Sequence, residues 1–197
     1  MANKPLDTQL LDKAIIFAVK AHSGTERRGK GFPYIVHPME AVEIVSTMTS
    51  DQELLAAAAL HDTVEDTYVS IEMIRNEFGD RIADIVEAES DKGIPGKSDK
   101  ASWHERKQAA IDRLAKASFE TKTVALGDKL SNMRAIARDY SVKGDELWKI
   151  FTTKDRKDHE WHYRGLAESL RELKETFAYK EFERLIEQVF GRPQDTE

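Results

Sequence analysis

The chain has 197 residues, 36 of them acidic and 30 basic, for a formal net charge of −6, with 40% hydrophobic, 34% charged and 8% aromatic residues. The acidic balance argues against a nucleic-acid binder, whose footprint is a concentrated basic face, and no apolar run approaches the ~18 residues of a membrane span. Zero cysteines exclude thiol nucleophiles, disulfides and cysteine–zinc sites, so any metal must sit on nitrogen and oxygen.

The length fits one domain spanning residues 1–197. The N-terminus lacks the apolar core and cleavage site of a secretion signal, which leads us to expect a cytoplasmic protein. Asp7 to about His22 carries an i, i+3, i+4 apolar stripe behind an Asp or Thr cap and predicts a first helix. The loop Ser23 to Gly31 follows, with three glycines and the cations Arg27, Arg28 and Lys30 among them. It reads either as a solvated basic turn or as an anion or nucleotide contact.

Phe32 to His37 reads as extended, because a proline pushes its predecessor out of the helical region, and Pro38 suits the first residue of a new helix running to about Met48. His37 then lies at a helix mouth, either as a satisfied core group or as a metal ligand. Ser50 and Glu53 form a capping box ahead of the apolar run Leu54 to Leu60, which predicts a buried helix.

Directly behind that run stands His61-Asp62-Thr63-Val64-Glu65-Asp66-Thr67. Adjacent helical side chains diverge by about 100°, so His61 and Asp62 can share one ion only from a helix end or a bend. Glu65 and Asp66 each lie four residues beyond a candidate ligand, where a base beside a bound water would stand. The competing reading is a solvated acidic turn.

Ser70 opens the next helix and Gly79 closes it; Ile82, Ile85 and Val86 mark another. Ser90 to Lys100 lacks helical periodicity and predicts a mobile loop or lid whose Lys92, Lys97 and Lys100 could reach a phosphate. Ser102 caps a helix to about Lys116, and Thr121 begins one that carries Asp128 near its buried face with Asn132 one turn on. A carboxylate there needs a metal or an arginine. Further helices are expected over Asp145 to Phe151, Lys154 to Glu175 and Tyr179 to Phe190, and nothing suggests strands. The consecutive rings Trp161, His162 and Tyr163 cannot all face one core, so at least one is exposed or lines a pocket.

Three blocks then carry a resemblance. Arg27-Arg28 with Pro33-Tyr34-Ile35-Val36-His37-Pro38, the His61–Thr67 heptad, and Gly127-Asp128-Lys129-Leu130-Ser131-Asn132-Met133-Arg134 together resemble the hydrolase domain of the RelA/SpoT alarmone family within the HD superfamily, most of all its small stand-alone members. The resemblance implies an all-α, compact HD-domain helical bundle with a central metal site. It implies His37, His61, Asp62 and Asp128 as ligands of one Mn²⁺ per chain, a donor set that Fe²⁺ or Zn²⁺ would also suit. It places Glu65 and Asp66 on the nucleophilic water, Arg27 and Arg28 against a purine, and Asn132 on the ribose or its phosphate, with the loop cations, Lys92 and Lys97 among them, around the diphosphate.

The implied reaction is hydrolysis of the 3′-pyrophosphate of ppGpp or pppGpp to GDP or GTP and pyrophosphate. ppApp, NADPH or nucleoside monophosphates are the alternative substrates, and a non-catalytic nucleotide sensor or a helical adaptor the alternatives of another class. The implied partner is a small purine nucleotide; no nucleic acid or membrane is expected, and nothing specifies an oligomeric state. The chain departs from the family pattern in a basic loop one residue longer, in Gly127 where alanine is common, and in Ser131 where histidine or tyrosine is common.

Overall fold

A computed structural model describes residues 7–90 and 93–192. Ten α-helices occur among them: α1 (Gln9–Ala21), α2 (Val36–Ser46), α3 (Gln52–Leu60), α4 (Thr63–Asp66), α5 (Ile71–Phe78), α6 (Asp80–Glu89), α7 (Asp99–Ala115), α8 (Phe119–Lys143), α9 (Arg156–Ser169) and α10 (Phe177–Phe190). Short 3₁₀ turns cover Gly144–Ile150 and Arg171–Leu173. No strand forms among the described residues; the sole pairing is an isolated bridge between Glu26 and Pro33 that closes the basic loop. Among the described residues no helix is long and apolar enough to cross a membrane.

The expected buried helix is α3, where all seven residues Leu54 to Leu60 are buried. Alanine dominates it because helices crowd it from several sides: α1, α2, α6 and α8 all pack against it. Around α3 gathers one apolar cluster, with Ala14, Ile74, Ile82 and Val86 at its centre. A second cluster joins α8, α9 and α10 through Leu130, Met133, Leu166 and Phe182. The 25-residue α8 serves both, with Val124 in the first and Leu126 and Leu130 in the second.

Several helix starts differ from expectation. Asp51, not Ser50, caps α3 by accepting from the Glu53 N–H at 2.9 Å. Ser98, not Ser102, caps α7, and Ser102 instead turns its hydroxyl back to the Ser98 carbonyl. Ser118, not Thr121, caps α8, and Thr176 caps α10, which starts at Phe177, two residues before the expected start. At α3, α7 and α8 one cap-competent residue displaces a neighbour with similar preference. α2 begins at Val36, so Pro38 is its third residue, still within the turn whose N–H groups have no helical partner.

Gly79, at φ +91°, ends α5 and turns the chain into α6 as expected. The predicted helix Lys154 to Glu175 is shorter, because the chain tightens after Ser169 into a 3₁₀ turn that sends Leu170 and Leu173 into the core. Gly144–Ile150 is likewise 3₁₀ rather than α, burying Leu147 and Trp148.

α2 and α8 approach closely at Gly127. A Cβ there would stand 2.6 Å from Val45 Cγ2 and 2.9 Å from the Ala41 carbonyl oxygen. Gly127→Ala gains about 1 kcal/mol of helix propensity, but the carbonyl cannot rotate aside, and overpacking of this kind costs about 1–3 kcal/mol. Net destabilisation in urea unfolding is therefore expected; a more stable variant would show that the two helices part freely.

Candidate metal centre and nucleotide cavity

The site is built on helix ends. α3 stops at Leu60 and α4 starts at Thr63, so His61 and Asp62 occupy the bend between them. The Thr63 hydroxyl donates to the Leu60 carbonyl at 2.7 Å and holds that bend. Here adjacent side chains converge, with His61 Nε2 3.0 Å from Asp62 Oδ2. His37, in the first turn of α2, brings its Nε2 to 3.3 Å from both His61 Nε2 and Asp62 Oδ2. From mid-α8, Asp128 Oδ1 comes to 3.1 Å from His37 Nε2 and 3.6 Å from His61 Nε2.

Donors about 2.1 Å from a transition metal stand roughly 3.0–3.5 Å apart in octahedral or tetrahedral order. The five distances above, 3.0–3.6 Å, lie close to that spacing, and His37, His61 and Asp128 form a buried group whose ligand atoms all lie within 4.8 Å of one another. The residues present therefore fit a first-row divalent ion. His61 Nδ1 lies 2.8 Å from the Ala58 carbonyl, which can only accept, so Nδ1 donates and Nε2 is the ring nitrogen that faces the other candidate donors.

Electrostatics agree with a cation site. Burial pulls the His61 imidazole down, but Asp62 and Asp128 outweigh it and hold its pKa well above the usual value. Burial pushes the two carboxylates up, yet both are held well below their usual range, Asp62 by His61 and His37, and Asp128 by Lys129 and the same two histidines. Asp128 accepts from Asn132 Nδ2 and Lys129 Nζ, each at 2.5 Å, and Lys129 also reaches Glu89 Oε2 at 3.2 Å. The lone buried carboxylate expected in α8 is thus met by imidazoles and a lysine rather than by an arginine.

Asp62 Oδ2 also accepts from the Tyr34 hydroxyl at 2.6 Å. Tyr34 stacks on His22 at 4.7 Å, and the Arg27 guanidinium lies 5.1 Å from its ring. Among the described residues neither ring nitrogen of His22 has a hydrogen-bond partner, and burial lowers its pKa, so this imidazole is a neutral backing for Tyr34.

A cavity of about 290 Å³ opens on the donor set. Glu65 and Asp66, both exposed on α4, form part of its wall, with Arg27, Lys107, Arg113, Lys129, Asn132 and His162 elsewhere around it. An adjoining, more apolar cavity of about 210 Å³ is lined by Arg28, Ile136, Ile150 and Phe151. Arg27, Tyr34, Asn132 and Tyr163 line both and so form the partition between them, with Arg27 Nη2 donating to Asn132 Oδ1 at 2.5 Å.

The fold thus brings His37, His61, Asp62, Glu65, Asp66, Arg27, Asn132 and Asp128 to one place and Arg28 to the neighbouring chamber. It does not bring Lys97 there: this side chain is exposed and pairs with Glu105 at 2.5 Å. Lys92 lies outside the described residues. Lys107, Arg113, Tyr34 and the Glu89–Lys129 pair escaped sequence reasoning as site residues. Of the three consecutive rings, His162 and Tyr163 reach the cavity, as crowding of one core had suggested.

Buried imidazoles and carboxylates around an ion-sized gap make a candidate metal site of the HD type in an all-helical fold. The profile of a family described as an HD domain (HD_4) matches residues 14–153, and the chain belongs to that family. It is 36% identical over 135 residues to the guanosine-3′,5′-bis(diphosphate) 3′-pyrophosphohydrolase MESH1 of Danio rerio, covering 66% of this chain and 71% of that one. It is 32% identical over 141 residues to the guanosine-3′,5′-bis(diphosphate) 3′-pyrophosphohydrolase of Haemophilus influenzae, covering 68% of this chain but only 19% of that one. A rice relative is likewise covered over only 16% of its length. Among solved structures, lmo0812 from Listeria monocytogenes superposes with a TM-score of 0.68 at 27% identity, covering 82% of this chain and 98% of that one. A metazoan ortholog of SpoT shares the fold, with a TM-score of 0.73 at 22% identity over 96% of this chain and 100% of that one. The chain is accordingly a member of the HD-domain family, related in sequence to ppGpp 3′-pyrophosphohydrolases over about two thirds of its own length.

Proposed function

We propose that this chain hydrolyses the 3′-pyrophosphate of ppGpp or pppGpp, giving GDP or GTP and pyrophosphate. The observation that carries the reading is the placement of Glu65 and Asp66 on the wall of a cavity that is also lined by His37, Asp62 and Asp128 of the donor set. A sensor would need the donors but not this acidic pair. The ions that best suit the donors are Mn²⁺, Fe²⁺ or Zn²⁺. A divalent ion held there supplies Lewis acidity to the scissile phosphoryl group and acidifies a water.

Glu65 takes the proton of the attacking water and Asp66 orients it. The bond between the 3′ oxygen and its phosphorus breaks, and the 3′ oxygen takes up a proton as pyrophosphate departs. Lys107, Arg113 and Lys129 offer cationic contacts to the phosphates at the cavity wall. The purine enters the apolar chamber, where Arg27 presents a planar cation and Arg28 flanks it. Asn132, on the partition, bonds the ribose or its phosphate.

The deciding experiment incubates the metal-loaded protein with ppGpp, pppGpp, ppApp, NADPH and nucleoside monophosphates and identifies the products. Pyrophosphate together with GDP or GTP is expected. Turnover confined to monophosphates or NADPH would discard the proposed substrate. Replacing both Arg27 and Arg28 by alanine should raise the KM for ppGpp tenfold or more, as expected on the order of 1.4 kcal/mol per tenfold, with metal content unchanged. An unaltered KM would remove the basic loop from the nucleotide site.

A further inference from the structure

We infer that Ser131 and Glu40 form a relay that fixes the proton of His37 on Nδ1 and so presents Nε2 to the metal centre. Ser131 sits on α8, 1% exposed, three residues after Asp128. Its hydroxyl oxygen lies 2.7 Å from Glu40 Oε2 and 2.8 Å from His37 Nδ1. A hydroxyl has one proton, and a carboxylate only accepts. The proton therefore goes to Glu40, and the oxygen turns a lone pair to His37, whose Nδ1 must donate. The other tautomer would set two lone pairs against each other at Nδ1 and put an N–H among the donor atoms of Asp62, Asp128 and His61.

Glu40 is itself held. Its Oε1 lies 3.4 Å from Arg134 Nη1, and Arg134 makes two further bonds, of 2.9 and 2.8 Å, to Glu181 on α10. Both helices serve the relay with a three-residue step: His37 to Glu40 on α2 and Ser131 to Arg134 on α8. The ring of His37 is thus braced through side chains as far as α10, whereas His61 is braced by the backbone carbonyl of Ala58. Ser131 and Glu40 are positioning residues, since partners of this kind set ligand tautomer and orientation without touching the ion.

The inference rests on the proposed metal centre, and the test separates the two. Mn²⁺ binding is measured by titration calorimetry on the wild-type chain and on Ser131→Ala, Glu40→Ala and Glu40→Gln, with circular dichroism as a check on folding. Ser131→Ala and Glu40→Ala should each weaken Mn²⁺ binding by about 10- to 100-fold. Glu40→Gln keeps an amide oxygen to accept the serine proton and should stay close to wild type, which a loss through bulk or packing alone would not reproduce. In the Zn²⁺-loaded protein the His37 Nδ1 proton should resist exchange with solvent, and Ser131→Ala should release it. Wild-type affinity in both alanine variants overturns the relay and leaves the metal centre intact. A wild-type chain that binds no divalent ion overturns the centre and the relay together. If Ser131→Ala fails to fold, the contrast between Glu40→Ala and Glu40→Gln decides.

Discussion

Glu65→Gln should lower turnover of ppGpp by roughly two to four orders of magnitude, as expected for loss of a general base, while bound metal stays near stoichiometric. Glu65 lines the cavity from the single turn of α4 and is not a member of the buried His37, His61 and Asp128 group. Glutamine keeps the size and hydrogen-bonding reach of the side chain but accepts no proton at neutral pH. Substrate affinity, measured on the slow variant, should hold or improve, because one negative charge near the phosphates is gone. Metal analysis and single-turnover kinetics on the same preparation check both halves. Near-normal turnover would shift the role of base to Asp66.

Asp128→Ala should abolish both stoichiometric metal and detectable turnover. Asp128 contributes the α8 donor, and it also accepts from Asn132 and Lys129 and faces both imidazoles. Its removal leaves Lys129 with Glu89 as its remaining carboxylate partner. Breaking a buried ion pair from one side costs about 3–5 kcal/mol, so the metal-free variant should also unfold at lower denaturant than the metal-free wild type. Metal content and activity like those of the wild type would show that α8 does not supply a ligand.

The candidate metal site of His37, His61 and Asp128 was legible because each of its members breaks a local rule. Asp128 interrupts an apolar stripe, His37 is wedged between prolines, and His61 and Asp62 stand where a buried helix must end. The argument that neighbouring residues reach one ion only at a bend matches the gap between α3 and α4. Helix starts were less legible, since Ser50 beside Asp51 and Ser118 near Thr121 have nearly equal capping preference and only tertiary packing chooses between them. The cavity cations were hidden for another reason. Lys107 and Arg113 lie on a polar helix whose pattern does not tell which side turns to solvent and which to the donors. Lys97 shows the reverse error, a loop lysine read toward phosphate that instead pairs with its own following helix.

The absent side chain at Gly127 has a consequence for ion choice. His37 and Asp128 belong to the two helices that this glycine lets touch, one turn before Ala41 on α2 and one residue beyond the contact on α8. Both are candidate ligands on short side chains held close to their backbones, so the gap between them is gauged by main-chain separation rather than by side-chain reach. The two helices act as the jaws of a caliper with Gly127 as its stop. Thickening the stop should open the jaws and shift relative affinity from the smaller Zn²⁺ toward the larger Mn²⁺ by way of the core rather than by any change of ligand.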